Sequence, residues 1–288
     1  MTYRSLLAAT LVTLLFAFPS AQQAAKVLVG YCVGLKGLDT ARAVGFDYVE
    51  LGTTEIAALS DSEFELAVER AKQVGIPTPN ANLFLPATMK LTGPDAIAPE
   101  AQMAYVRKAF ARLARFGVKI LCFGSGGARR VPDGFSKEEA FQQLVAFGKR
   151  IAPEARANGI TVVIEPLRTQ ETNIINTTAE GLELVNAVND PNFELLIDFY
   201  HLASEKEDPA IILRAKDHIR HLHMANPQGR VFPLAWDEFD YAPFFENLRR
   251  IGYAGGISIE ASSRDVPSEA PRAIALLRQA FMQPRTKL

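Results

Sequence analysis

The chain has 288 residues, 48% of them hydrophobic and 22% charged, with a formal net charge of −1. Such a composition excludes a disordered chain, and the length suits a single α/β barrel of about 250 residues. Basic residues are scattered, and the arginine pairs Arg129-Arg130 and Arg249-Arg250 are too few for a nucleic-acid footprint.

Residues 1–21 read as a secretory signal peptide: Arg4 is the basic start, Leu6 to Phe18 the apolar core, and Pro19-Ser20-Ala21 the processing site. The 13-residue apolar core is short for a bilayer span, which needs about 20 residues. An uncleaved N-terminal anchor is the alternative. Processing takes Arg4 and no acid from a net charge of −1, leaving about −2. The expectation is an exported protein, periplasmic or secreted, with no stable membrane insertion after processing.

From residue 26 to residue 284 one domain is expected, with strand and helix patterns alternating eight times and no flexible linker. Strand one is KVLVGYC, ending near Cys32, and a short helix follows through Ala43. Strand two is 47–51, then a helix runs from the Ser60-Asp61 cap to Gln73. Strand three lies in 76–84, weakened by two prolines, and a helix from Pro99 to Phe116 leads to strand four, 119–127. A long helix from Lys137 to Asn158 precedes strand five, which ends at Glu165. The Thr177–Asn189 helix leads to strand six, ending at Asp198, and a helix near 209–216 to strand seven, ending at His223. The Tyr241–Ile251 helix precedes strand eight, ending at Glu260, and a last helix covers about 267–282. Alternation of this kind implies parallel strands with right-handed crossovers. Eight units predict closure into a (β/α)8 TIM barrel. Cys32 and Cys122 fall on strands one and four, far apart around such a wall, and are expected as buried, reduced, structural thiols.

Glu165, Asp198, His223 and Glu260 each end an apolar strand, at spacings of 33, 25 and 37 residues. A carboxylate there is costly to desolvate unless something positive compensates it. All four belong on the rim where barrel enzymes collect catalytic groups. Two Glu, one Asp and one His make a hard, oxygen-rich set suited to Mn²⁺ or Mg²⁺. For Glu165 the competing reading is partnership with a buried arginine. Glu171 can fold back over the site or be a solvated loop acid; His201, just past strand six, can contact substrate, ligate a second metal or be a plain loop histidine. His221 shares a strand face with His223 one layer deeper and reads as a hydrogen-bonded core residue. Glu50 also ends a strand, and a structural or supporting role is preferred for it. GSGGARR after strand four lacks a Walker lysine and reads as a loop whose backbone approaches the site, with phosphate binding as the alternative; no G-x-G-x-x-G follows strand one, so a dinucleotide fingerprint is absent.

The segments IEPLRTQET, LIDFYH, HLHMAN and GYAGGISIE resemble motifs of the xylose-isomerase-like TIM-barrel superfamily, nearest the ketose 3-epimerases, with the similarity strongest over residues 160–262. The resemblance implies one divalent metal on Glu165, Asp198, His223 and Glu260. Mn²⁺ is first choice, with Mg²⁺, Co²⁺ or Zn²⁺ as alternatives. It also implies that Glu165 and Glu260 are the proton-transferring pair and that Glu171, His201 and Arg230 contact a small carbohydrate. The expected reaction is epimerisation or isomerisation through a metal-stabilised enediolate, and a homo-oligomer is allowed. An exported lyase or dehydratase on a keto-sugar or 3-keto-glycoside is the alternative, since it begins with the same proton abstraction. A trinuclear zinc endonuclease is excluded because the four histidines all lie between 201 and 223. A non-catalytic sugar-binding barrel is disfavoured because both glutamates are present.

Overall fold

The computed structural model describes residues 27–282, so the signal-peptide reading of residues 1–21 lies outside it. Eight parallel strands close into one barrel in sequence order: β1 Val29–Cys32, β2 Tyr48–Gly52, β3 Asn80–Asn82, β4 Ile120–Phe123, β5 Thr161–Ile164, β6 Phe193–Asp198, β7 Ile219–Met224 and β8 Ile257–Ile259. β8 pairs with β1 to complete the ring. The expected (β/α)8 architecture is therefore the one adopted. No helix among the described residues is long and apolar enough to cross a membrane.

Local chemistry explains where the outer helices begin. Ser60 and Glu63 form a reciprocal capping box ahead of the Asp61–Val74 helix, and Thr177 and Glu180 do the same for Thr178–Val188, satisfying orphan backbone donors at each start. Pro99 opens the Pro99–Arg115 helix, where its missing N–H costs nothing. The apolar faces of the helices pack on the outside of the wall. Phe84 stacks on Phe110 at 5.6 Å and meets Phe123 edge-on at 5.7 Å.

Several boundaries differ from the sequence reading. Strand three shrinks to Asn80–Asn82 because Pro77 and Pro79 have no N–H to give to a ladder. Strand four stops at Phe123, and the glycine-rich stretch beyond it turns into a short helix, Gly126–Arg129. An extra helix, Thr53–Ala58, lies between β2 and the Ser60 cap, and His201 sits in a short helix, Phe199–Ser204, rather than in a loop.

The inside of the barrel has two chemically distinct sides. Cys122, Val163 and Leu196 form a small apolar cluster separate from the main core. Across from it the filling is polar, and Tyr48 reaches over to Ser258, 3.0 Å between oxygens. Its ring passes where β1 has no side chain: a Cβ added at Gly30 would lie 2.1 Å from the Tyr48 ring. β7 carries a bulge that this interior requires. Leu195 pairs with Ile219 but Leu196 pairs with His221, so Arg220 is the unpaired extra residue. Because strand faces alternate with period two, the bulge turns His221 and His223 inward, next to Leu196 and Asp198.

Gly30→Ala should therefore overpack the barrel floor, at a cost of about 1–3 kcal/mol, read as a lower urea midpoint. Combining it with Tyr48→Ala should recover part of that loss. Strictly additive effects of the two changes would show that the ring and the missing side chain are not coupled.

Candidate metal site

Glu165, Asp198, His223 and Glu260 meet at the C-terminal mouth of the barrel, each offering one ligating atom within 4.8 Å of all the others. β5, β6, β7 and β8 deliver them, as the strand-end spacing predicted. His223 Nδ1 lies 3.0 Å from Glu165 Oε1 and 3.5 Å from Glu260 Oε2. Asp198 Oδ1 accepts the Tyr200 N–H at 2.6 Å. Its Oδ2 is buried without a hydrogen-bond partner, with His201 Nε2 at 3.7 Å and Arg230 Nη2 at 4.0 Å.

The electrostatics mark a space short of positive charge. Burial first, then repulsion from Glu165 and Glu260, pushes the Asp198 carboxyl up to about 7. Glu260 behaves oppositely: burial opposes its charge, but His223 and then Arg230 outweigh that and hold it at about 2. Burial disfavours a charged His223, yet Glu50, Cys32, Glu260 and Glu165 together raise it well above the usual histidine value. Three carboxylates and one imidazole with an orphaned buried oxygen fit a hard divalent cation. The thiols do not compete as thiolates, since burial, reinforced by nearby carboxylates, raises both Cys32 and Cys122.

Both cysteines are free. Cys122 is buried as expected and donates its S–H to Glu165 Oε2 at 3.1 Å. Cys32 departs from expectation: it is only partly buried and lines the cavity, because β1 ends there and the wall opens. Arg129 lies wholly buried beneath the site and donates to the backbone carbonyl of Glu165. A buried arginine does accompany Glu165, then, but it holds the chain and leaves the carboxylate to the site.

The sugar-contacting residues implied by the resemblance also gather at this mouth. Arg230 donates to Glu260 Oε2 at 2.6 Å and to Glu171 Oε1 at 3.2 Å, and Arg168 donates to the same Glu171 oxygen at 2.9 Å. The guanidinium groups of Arg168 and Arg230 stack on Tyr200 at 4.9 and 4.8 Å. His201 accepts the Arg168 N–H on Nδ1 at 3.2 Å. Burial first and Arg230 second depress it to about 3, so at neutral pH it is uncharged and carries its proton on Nε2. The cavity beside these groups has a volume of about 630 Å³. Asn82, which the sequence reading did not single out, donates to Glu260 Oε1 at 3.2 Å. Its signal was polar Asn80 and Asn82 two apart on one strand face.

Gly124 is held to glycine by the site: an added Cβ would lie 2.4 Å from Glu165 Oε2. Gly124→Ala should displace that carboxylate, weakening divalent-cation binding at least tenfold by calorimetry while leaving the circular-dichroism spectrum unchanged. Equal affinity in the variant would place Glu165 outside the ligand set.

The family model described as xylose isomerase-like TIM barrel matches residues 38–280. The L-ribulose 3-epimerase of Methylomonas sp. (strain DH-1) is 30% identical over 234 residues, covering 80% of this chain and 79% of its own. The ketose 3-epimerase of Arthrobacter globiformis is 26% identical over 246 residues, covering 83% and 82%. Among solved structures, the D-allulose 3-epimerase from Methylomonas sp. in complex with D-allulose superposes with a TM-score of 0.77 at 25% identity, covering 89% of this chain and 98% of that one. The protein belongs to the xylose isomerase-like TIM barrel family.

Proposed function

We propose that the protein is a divalent-metal-dependent ketose 3-epimerase acting on a small unphosphorylated sugar. It is an enzyme of the isomerase kind, as its relatives are epimerases. The observation that carries the finer reading is the convergence of Glu165, Asp198, His223 and Glu260 within 4.8 Å, two of them glutamates from strands on different sides of the mouth. Mn²⁺ suits this oxygen-rich set first, ahead of Mg²⁺, Co²⁺ or Zn²⁺.

A hydrogen on a sugar carbon beside a carbonyl is weakly acidic, and its removal needs a placed base and stabilisation of the resulting enediolate. A cation held by the four side chains supplies electrostatic stabilisation of that negative charge. Glu165 and Glu260 sit on β5 and β8 ends and face the shared space from two directions. One takes the proton from one face of the carbon and the other returns a proton to the opposite face, which inverts the centre. Arg230 and Asn82 hold the Glu260 oxygens in place, and Cys122 does so for Glu165 Oε2. His201, neutral with its proton on Nε2, offers a donor to a sugar oxygen. Glu171 accepts from hydroxyls at the rim, where Arg168 and Arg230 fix its orientation.

Burial of Arg129 takes the nearest basic pair's first member out of reach of a phosphate, which supports an unphosphorylated substrate. The same preference follows from the exported location proposed for the chain from residues 1–21. A second reading, a lyase on 3-keto-glycosides, draws on the cavity volume of about 630 Å³, more than the dozen heavy atoms of a hexose fill, and on Leu83, a 57% exposed apolar side chain at its edge.

Incubation of the Mn²⁺-loaded protein with ketoses and 3-keto-glycosides in D₂O separates the two. Deuterium at C3 with the skeleton intact supports epimerisation, and loss of the aglycone supports the lyase. No exchange on any substrate would defeat both readings.

Glu260→Gln keeps volume and an oxygen ligand but accepts no proton at neutral pH. It should lose about 10²–10⁴-fold in kcat with cation affinity little changed. Near-normal turnover with metal bound removes Glu260 from proton transfer.

A further inference from the structure

Below the four ligands, a column of polar side chains runs along the barrel interior. Tyr48 Oη lies 3.0 Å from Ser258 Oγ, and Ser258 Oγ lies 3.1 Å from His221 Nε2. His221 Nε2 is 2.9 Å from Glu50 Oε2, and the other Glu50 oxygen is 3.0 Å from His223 Nε2. His223 Nδ1 then faces Glu165 and Glu260. Asn80 Nδ2 lies beside the His221 ring, 3.2 Å from Nε2 and 3.4 Å from Nδ1. Glu50 itself is fully buried and lines no part of the substrate cavity.

We infer that Glu50 is the positioning residue of the cation site: its two oxygens hold the rings of His221 and His223 and keep a proton on His223 Nε2, so that Nδ1 is the nitrogen left to exchange its proton for a cation in the space shared with Glu165, Asp198 and Glu260. The inference rests on the cation-site reading above and adds to it the residue that makes His223 a ligand.

Three features support this assignment over a passive buried ion pair. An imidazole ligand must present an unprotonated nitrogen, and a carboxylate on its other N–H is the usual means of choosing which one. Here the chosen nitrogen is the one that faces the three carboxylates. Second, Glu50 has the same chemistry and strand-end position as the ligands, yet both its oxygens are occupied by histidines, so it cannot swing up to join them. Third, the rings of His221 and His223 stand at 86° with centroids 5.2 Å apart, so the two carboxylate oxygens clamp two different planes. With His221 fixed to Ser258 beneath, rotation of Glu50 about its own axis is blocked, and the His223 ring cannot turn over.

The test uses the full chain with Glu50→Gln and Glu50→Leu, Mn²⁺ binding by calorimetry, and ¹⁵N-histidine NMR on metal-free and Mg²⁺-loaded protein. The chain's four histidines keep that spectrum simple. Glu50→Leu should weaken Mn²⁺ binding about 10–100-fold and lose the Nε2–H signature of His223 in the Mg²⁺-loaded state. Glu50→Gln, which keeps one neutral acceptor and the side-chain volume, should fall between this variant and the wild type in both readouts, and it carries the test alone if Glu50→Leu does not fold. A lower Tm with unchanged Mn²⁺ affinity and an unchanged His223 spectrum would reduce Glu50 to a structural part and overturn the inference. A wild type that binds neither cation instead overturns the cation site, and the inference with it.

Discussion

His223 between Glu50 and Glu165 is the contact on which the rest of the mouth depends. Each of its ring nitrogens is 3.0 Å from a carboxylate oxygen, and the side chain is completely buried. Buried carboxylates are tolerated only when paired and hydrogen-bonded, and this barrel places Glu50, Glu165, Asp198 and Glu260 around one imidazole. One histidine cannot compensate four acids. Arg230 relieves Glu260 from above and His221 relieves Glu50 from below, which leaves Asp198 as the carboxylate pushed toward neutrality, with one oxygen unpartnered. The deficit of positive charge is thus local, lying where a cation in contact with all four ligands would sit.

Getting His223 to that position depends on a single extra residue. Without the bulge at Arg220, the β7 alternation would send both histidines outward into the helical layer, where no acid waits for them. The displaced Arg220 instead donates to Glu194 Oε1 at 3.0 Å, so the bulge is tied down at the bottom of the barrel. The polar column and the apolar cluster of Cys122, Val163 and Leu196 then divide the interior between them. The polar half supports the ligands and the apolar half backs Glu165, so the same filling that closes the barrel also aims its rim.

The pattern of apolar strands ending in Glu165, Asp198, His223 and Glu260 was enough to read both the barrel and the meeting of these four side chains, because parallel strands all finish on one face. Ser60 and Thr177 marked helix starts through chemistry local to a few residues. What escaped was non-local. A supporting role for Glu50 was legible from its strand end, but its partners His221 and His223 were not, although the spacing of apolar Ile219, Leu222 and Met224 in β7, three and then two, carries the trace of the bulge that brings them over it. Cys32 read as a core thiol because an apolar run does not reveal that its strand ends there, at the open mouth. Arg129 read as half of a basic pair, and only its contact with the Glu165 carbonyl shows that it braces the backbone. Strand three was overextended because proline removes ladder donors without changing hydrophobicity.

The rim itself is held under backbone strain. Six described non-glycine residues have positive φ, and Leu83, Ser125 and Arg230, at 50°, 42° and 51°, all line the same cavity. Each such conformation costs on the order of 1–3 kcal/mol and persists only where its surroundings over-determine it. For Arg230 they do. Ser262 donates its N–H to the Arg230 carbonyl at 3.0 Å, and Val231 next door is bridged to both Asn226 and Ser262. The side chain is then fixed at its far end by Glu260, Glu171 and the face of Tyr200. Ser125 Oγ accepts the Leu85 N–H at 2.9 Å, and the Leu83 carbonyl accepts from Thr54. Stability drawn from the aromatic outer core and the capped helices is therefore spent at the mouth, on groups whose positions the backbone alone would not choose. An arginine held this way keeps Glu260 oriented before any sugar arrives, and less ordering remains to be done when one binds.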